Sequence, residues 1–159
     1  MKQTETHVTI NREDPRSLDA QGLFDEVSAM LAIFAGNAAS TPFLLEEMYS
    51  ARSTLLVARN RKQVPIGCGG FTRFDYGIAE LKRLYSRTPG MGIARSILQK
   101  LEADALEKGY HTIVVEVSAM NRRALRFFEH NQFVPTERCG PSSVQAGRCC
   151  FEKSLNAIA

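Results

Sequence analysis

The chain has 159 residues, enough for one domain with a sizeable core. Its 20 basic and 17 acidic residues leave a net charge of +3, too weak a bias to argue for nucleic acid, and no apolar run is long enough to span a membrane. Cysteines at 68, 139, 149 and 150 lack zinc-ligand spacing, and His7, His111 and His130 form no local cluster, so no metal site is expected.

In chain order, residues 7–11 (HVTIN) alternate and read as an edge strand. Asp14-Pro15 and Ser17 mark a turn and a helix start. Over 17–35, Leu18, Phe24, Val27, Met30, Leu31 and Phe34 recur at helical spacing, which puts most of them on one face. Gly36-Asn37 stops this helix, and Thr41-Pro42 opens a second, short one through Tyr49. Met30, Phe34 and Tyr49 suit either an acceptor pocket or plain core packing. Residues 53–59 and 64–74 read as strands, the second carrying Gly67, Gly69 and Gly70, a signal for a bulge or a close approach. Asp75-Tyr76-Gly77 turns the chain into a fourth strand, Ile78–Tyr85, and the short connections suggest an antiparallel meander.

An Arg87-Thr-Pro-Gly-Met-Gly92 turn then opens an amphipathic helix over Gly92–Lys108, with Ile93, Ile97, Leu98, Leu101 and Leu106 apolar and Gly109 as its stop. The β-branched run His111–Val117 is a fifth strand, and the crossover predicts that it pairs parallel with the fourth. A helix headed by Asn121 runs to His130, Phe133-Val134 begins a sixth strand, 136–147 reads as a hairpin loop, and Arg148–Lys153 is the last strand. Neither a repeat nor a linker is visible, so one domain over 1–159 is expected. The fold class is α/β (α+β), a mixed, mostly antiparallel sheet of six to seven strands flanked by helices.

The turn carries the first chemical signal. A helix start leaves four N–H groups without intrahelical partners, and the peptide dipoles add positive potential there. Gly90 and Gly92 let a ligand approach the backbone, so the turn suits a phosphate or pyrophosphate, with Arg87 able to add a charge-assisted bond. A tight connection with no ligand is the plain alternative. No Gly-Lys-Ser/Thr follows, which excludes a Walker loop, and Arg95 stands where a dinucleotide fingerprint needs its third glycine.

With these residues in place, the chain resembles the GNAT superfamily of acetyl-coenzyme A-dependent N-acetyltransferases. That family's Arg/Gln-x-x-Gly-x-Gly/Ala loop matches Arg87, Gly90 and Gly92. Its Asn-x-x-Ala-x-x-hydrophobic-aromatic-Glu segment matches Asn121, Ala124, Phe127, Phe128 and Glu129, and Phe-Glu-Lys-x-Leu matches Phe151 to Leu155. The match is densest over 65–134. The resemblance implies the acyl-CoA N-acyltransferase fold, with the fourth and fifth strands splayed apart around the cofactor's pantetheine arm. It implies acetyl-CoA as cosubstrate, with Leu84, Tyr85, Ser86, Arg87, Thr88, Gly90, Met91, Gly92, Ile93, Asn121, Arg123, Ala124 and Phe128 as its candidate contacts, Arg123 being open equally to plain solvent exposure. It also implies a helical pair at the N-terminus as the acceptor-side cover.

Acetylating an amine requires the ammonium to lose a proton and the thioester to be held beside it. Glu80 is the expected general base; the alternative is a plain pairing with Lys82 or Arg83. Strand parity puts Glu80, Lys82, Leu84 and Ser86 on one face and Leu81, Arg83 and Tyr85 on the other. Three departures from the family stand out. Phe128 replaces a tyrosine that protonates the leaving thiolate in many members, and Tyr85 and Tyr49 are only weak substitutes, Tyr85 because it points away from Glu80. Gln132 stands where glycine is usual, so that turn is expected to change. The Tyr85–Gly90 segment is short, which shifts phosphate binding from Arg87 towards the Thr88 and Met91 amides.

Residues 1–50 hold three basic and eight acidic residues, net −5, and the other 109 hold 17 and nine, net +8. A basic half suits cofactor phosphates and an acidic half suits a cationic amine, or both are ordinary surface charge. The acceptor is expected to be a small-molecule amine, with a protein amine open; no nucleic-acid or membrane partner is expected. A homodimer stays open because sheet edges need cover. A polar N-terminus without a visible leader suggests a cytoplasmic protein with reduced thiols. The rival reading is a CoA-binding regulatory or sensor module of the same fold.

Overall fold

The computed structural model describes residues 7–35 and 45–156. Its elements are β1 (Thr9–Arg12), α1 (Leu18–Ala35), a 3₁₀ helix (Leu45–Tyr49), β2 (Thr54–Arg59), β3 (Pro65–Asp75), β4 (Ile78–Ser86), α2 (Ile93–Glu107), β5 (Thr112–Ser118), α3 (Arg122–His130), β6 (Val134–Pro135), α4 (Pro141–Gln145) and β7 (Arg148–Ser154). The expected helix stop at Gly36-Asn37 and helix start at Thr41-Pro42 lie outside the described residues. One seven-stranded sheet runs in the order β1-β2-β3-β4-β5-β7-β6. Among the described residues only β4 and β5 pair in parallel, joined by the α2 crossover; every other neighbour is antiparallel.

Each face of the sheet carries its own apolar layer. On one face α2 buries Ile93, Ile97, Leu98, Leu101 and Ala105 against Leu56, Phe71, Leu81, Ile113 and Val115, and Phe128 and Phe133 extend that layer. On the other face α1 buries Ala20, Leu23, Phe24 and Val27 over Leu55, Val57 and Cys68, with Met48 of the 3₁₀ helix beside them. The i, i+3, i+4, i+7 spacing of these four α1 residues is the buried stripe of an amphipathic helix. It is rotated from the face expected from sequence, since Leu18 is 87% exposed and Leu31 is also exposed.

Local chemistry explains the ends of the elements. The Ser17 hydroxyl accepts the Ala20 N–H at 3.1 Å and caps α1. Gly109, at φ +93°, closes α2 by donating its N–H to the Leu106 carbonyl while Tyr110 donates to Ala105. Asp104, buried on α2, accepts from Arg12 and from the Thr54 hydroxyl, which ties the helix to β1 and β2. Gly70 marks a close approach: a Cβ there would lie 2.4 Å from the Met48 methyl and 2.6 Å from the Thr54 carbonyl. The expected hairpin loop 136–147 contains the short α4.

The thiol expectation is corrected. Cys139 and Cys150 form a disulfide, because the loop after β6 folds back over β7, whereas Cys68 and Cys149 are free. This removes the thiol-based ground for a cytoplasmic setting. Among the described residues no helix is long and apolar enough to cross a membrane, and no His, Cys, Asp or Glu group is arranged to hold a metal.

Candidate active site

The site is built around the middle of β4. Its register against β3 runs Thr72 with Glu80, Phe71 with Leu81 and Gly70 with Lys82, then jumps to Cys68 with Tyr85. Two steps on β3 therefore face three on β4, and Arg83 takes φ +56°. This is a β-bulge, and it inverts the inside–outside alternation beyond it. The parity expected from sequence is corrected accordingly. Leu84 packs with the α2-side layer, where its Cδ1 lies 2.8 Å from a Cβ built on Gly69. Tyr85 packs with the α1-side layer, and Arg83 donates from Nη1 to the Ser28 hydroxyl of α1 at 3.3 Å. Tyr85 thus shares a face with Glu80 instead of pointing away from it, while Leu84 leaves that face. Ser86 leaves it too: its partner Gly67 turns its Cβ position towards Ile93 and Ile97 of α2.

The sheet opens at the same place. The β4–β5 ladder pairs Ile78 with Thr112, Ala79 with Ile113 and Glu80 with Val114, and then stops. β4 continues to Ser86 along β3, and β5 continues to Ser118 along β7. Beyond Glu80 and Val114 the facing edges of β4 and β5 have no ladder between them, so the backbone donors and acceptors on these edges lack ladder partners there. The expected separation of these two strands is present as a fork with Glu80 at its apex.

The turn before α2 stands at the mouth of that fork. Gly90 at φ +86° and Gly92 at φ +77° hold left-handed conformations that suit glycine, and a Cβ on either would meet nothing within 4 Å. Among the described residues no side chain caps α2, whose first intrahelical bond is Ser96 N–H to the Gly92 carbonyl. The Ile93, Ala94 and Arg95 amides are therefore left without helical acceptors, beside open glycines. This arrangement fits a pyrophosphate. Arg87 does not turn to it: Nε pairs with Glu26 at 2.7 Å and Nη1 donates to the Pro65 carbonyl at 2.6 Å, and the bond to Glu26 holds its pKa up. The Thr88 N–H is also engaged, by the Ser86 hydroxyl at 3.2 Å. Met91 is exposed, and the helix-start amides remain for an anion.

Glu80 lies on the α1 side of the sheet with 23% of its side chain exposed, and Lys82 Nζ is 3.3 Å from its Oε2. The pairing with Lys82 weighed from sequence is thus realised. Burial pushes the Glu80 carboxyl above its ordinary range, Lys82 pulls it back, and the charges of Glu116 and Glu47 push it further up. Glu116, two residues beyond Val114 on β5, is held by Arg148 Nη1 at 3.0 Å. Sequence reasoning passed over Glu116, although a lone carboxylate inside the apolar run IVVEV was a signal.

Past the fork, Asn121 is the α3 cap, its Oδ1 accepting the Ala124 N–H at 3.2 Å. Arg123 is exposed at the first turn of α3, and Ala124 is half-buried. Phe128 is 5% exposed and packs edge-on against Phe127 and Phe133, with ring centres 5.2 and 5.1 Å away. Its ring belongs to the core. Gln132 takes φ +66°, a left-handed conformation that glycine adopts more readily.

The family model described as Acetyltransferase (GNAT) family matches residues 23–133. No curated protein matches the chain. A solved Klebsiella pneumoniae structure, provisionally named an acyl-CoA N-acyltransferase, is 20% identical with a TM-score of 0.76, covering 94% of this chain and 98% of its own. A GNAT-family acetyltransferase from Staphylococcus aureus is 19% identical with a TM-score of 0.72, covering 94% and 100%. An acetyltransferase from Streptococcus agalactiae is 17% identical with a TM-score of 0.71, covering 93% and 98%. At these identities the likeness speaks for the fold.

Proposed function

The chain belongs to the acetyltransferase (GNAT) family, and from that premise we propose that it moves an acetyl group from acetyl-CoA to a primary amine by direct attack, with Glu80 as general base. Residues 1–159 act as one acetyltransferase domain. Three features together carry this reading: the end of the β4–β5 ladder at Glu80 and Val114, the half-buried carboxylate of Glu80, and the uncapped start of α2, which follows β4 past that point.

Bound acetyl-CoA supplies the activated acyl group. The Met91–Arg95 amides and the open glycines hold the pyrophosphate by hydrogen bonds and helix-end potential. In this reading the edge of β4 around Leu84–Ser86 would hold the pantetheine, with Asn121, Arg123 and Ala124 of α3 as its further contacts. Glu80 takes the ammonium proton, and its upward-shifted carboxyl is better matched to that task near neutral pH than an ordinary glutamate. With no hydroxyl at Phe128, the sulfur departs as a thiolate, which its modest basicity permits, or takes a proton from Tyr85 on Glu80's face. Burial, first, and the nearby Glu26 keep the Tyr85 phenol protonated.

The acceptor is a small-molecule amine in this reading. The rival, a CoA-binding sensor, gains support from the buried Phe128. Thiol release from acetyl-CoA across a panel of primary amines, with calorimetry of acetyl-CoA alone, separates them. Transfer to at least one amine supports the enzyme; tight binding with no transfer supports the sensor.

A further inference from the structure

Lys82 is placed as a substrate would be. Its Nζ is 3.3 Å from Glu80 Oε2, and the two side chains are 22% and 23% exposed. It is the second residue past the last β4–β5 pair, so it stands at the opening of the fork and just before the Arg83 bulge. Its cross-strand partner is Gly70, which offers no side chain to cover it. The other described lysines sit differently. Lys100 donates to the Ile10 carbonyl, Lys108 to the Ala51 carbonyl, Lys153 pairs with Glu102, and Lys62 lies in the exposed β2–β3 turn. Among the described residues, Lys82 alone joins a primary amine to the carboxylate at the fork.

We propose that Lys82 is a self-acetylation site, modified within its own active site from acetyl-CoA when no acceptor amine is present. The inference rests on the reading of Glu80 and the fork given under Proposed function. The step balances without a further reactant. Glu80 removes one proton from the Lys82 ammonium, the freed Nζ forms a bond to the acyl carbon, the acyl–sulfur bond breaks with its electron pair leaving on sulfur, and the second proton that the nitrogen sheds passes to that sulfur to give the CoA thiol. The product is a neutral amide at Lys82. The same geometry implies that an acceptor ammonium displaces Lys82 from Glu80, so acceptor and self-modification compete for one carboxylate.

The test incubates the purified full chain with acetyl-CoA and no amine, then reads intact mass and maps the modified peptide. The expected result is a gain of one acetyl group on the peptide carrying Lys82. Glu80→Gln should slow that gain by at least about tenfold while still binding acetyl-CoA in calorimetry, which also reports that the variant is folded. A good acceptor amine should suppress it. Saturable acetyl-CoA binding with no acetyl on Lys82 overturns the inference and leaves the proposed function standing. Acetyl spread over Lys62, Lys100, Lys108 and Lys153 at a rate unchanged in Glu80→Gln overturns it equally. No saturable binding of acetyl-CoA overturns both.

Discussion

Replacing Glu80 by Gln separates catalysis from stability. The substitution removes one ionisable group and nearly preserves shape. Its ion pair with Lys82, 3.3 Å long and about a fifth exposed on both sides, contributes less than about 1 kcal/mol after solvent screening. Burial already disfavours the Glu80 charge, so losing that charge offsets part of the loss. For a chain of this size, Tm should therefore move by less than about 4 °C. The chemical effect should be far larger. A positioned general base contributes about 10²–10⁴ in rate, so kcat should fall by at least about 100-fold, equivalent to roughly 2.7 kcal/mol. The base works as the carboxylate. The wild-type rate should rise with pH through a value above the ordinary glutamate range, set by burial against Lys82, Glu116 and Glu47, and the variant should lose that rise. The stability sign runs the opposite way: with its folded pKa raised, Glu80 makes the fold less stable as pH climbs through that window, and Glu80→Gln removes that dependence. Stopped or continuous thiol-release assays from pH 5 to 9, with thermal melts on the same samples, check all three. An unchanged pH–rate profile with unchanged kcat refutes the role of Glu80.

Gly70→Ala drives a methyl into the Met48 methyl and the Thr54 carbonyl, and should destabilise the protein by about 1–3 kcal/mol in denaturant melts. Gln132→Gly relieves a left-handed residue and should stabilise by about 0.5–1 kcal/mol, after the extra freedom it gives the unfolded chain. The unreduced, denatured protein should titrate two thiols rather than four, and Cys139→Ser should lower stability by about 3 kcal/mol for a crosslink 11 residues apart. Tyr85→Phe should lower kcat by about tenfold or more with little change in KM for acetyl-CoA if the phenol protonates the leaving sulfur; an unchanged kcat means that the thiolate departs unaided.

Much of the frame was legible because local chemistry announced it. Ser17 and Asn121 read as caps and are caps, Gly109 reads as a helix stop and is one, and the glycines of β3 read as a close approach and pack that way. The crossover from β4 to β5 followed from the helix between them. What stayed hidden depends on non-local or unsignalled geometry. Gly67, Gly69 and Gly70 on β3 signalled a bulge, and the register does shift between Cys68 and Gly70, but nothing on β4 marks the extra residue at Arg83, so regular alternation puts Tyr85 on the wrong face. Arg87 was read as a phosphate ligand because its partner Glu26 lies 61 residues away in sequence. Cys139 and Cys150 become neighbours only once β6 returns along β7. The α1 stripe was misphased because Leu18 and Leu31 are apolar yet face outwards, leaving Ala20 and Leu23 to complete it. Phe128 was legible as a departure from the family, but only packing shows that its ring is enclosed by other aromatics.

The central claim is that the uncapped start of α2 and the fork in the sheet form one site, the first gripping a pyrophosphate and the second its acyl-bearing arm. Calorimetry with acetyl-CoA, against acetyl-pantetheine that lacks the pyrophosphate, tests it most directly. Saturable binding of acetyl-CoA, weakened by at least about tenfold or 1.4 kcal/mol for acetyl-pantetheine, is the predicted result. No saturable heat with acetyl-CoA, or equal affinity for the two ligands, would contradict it.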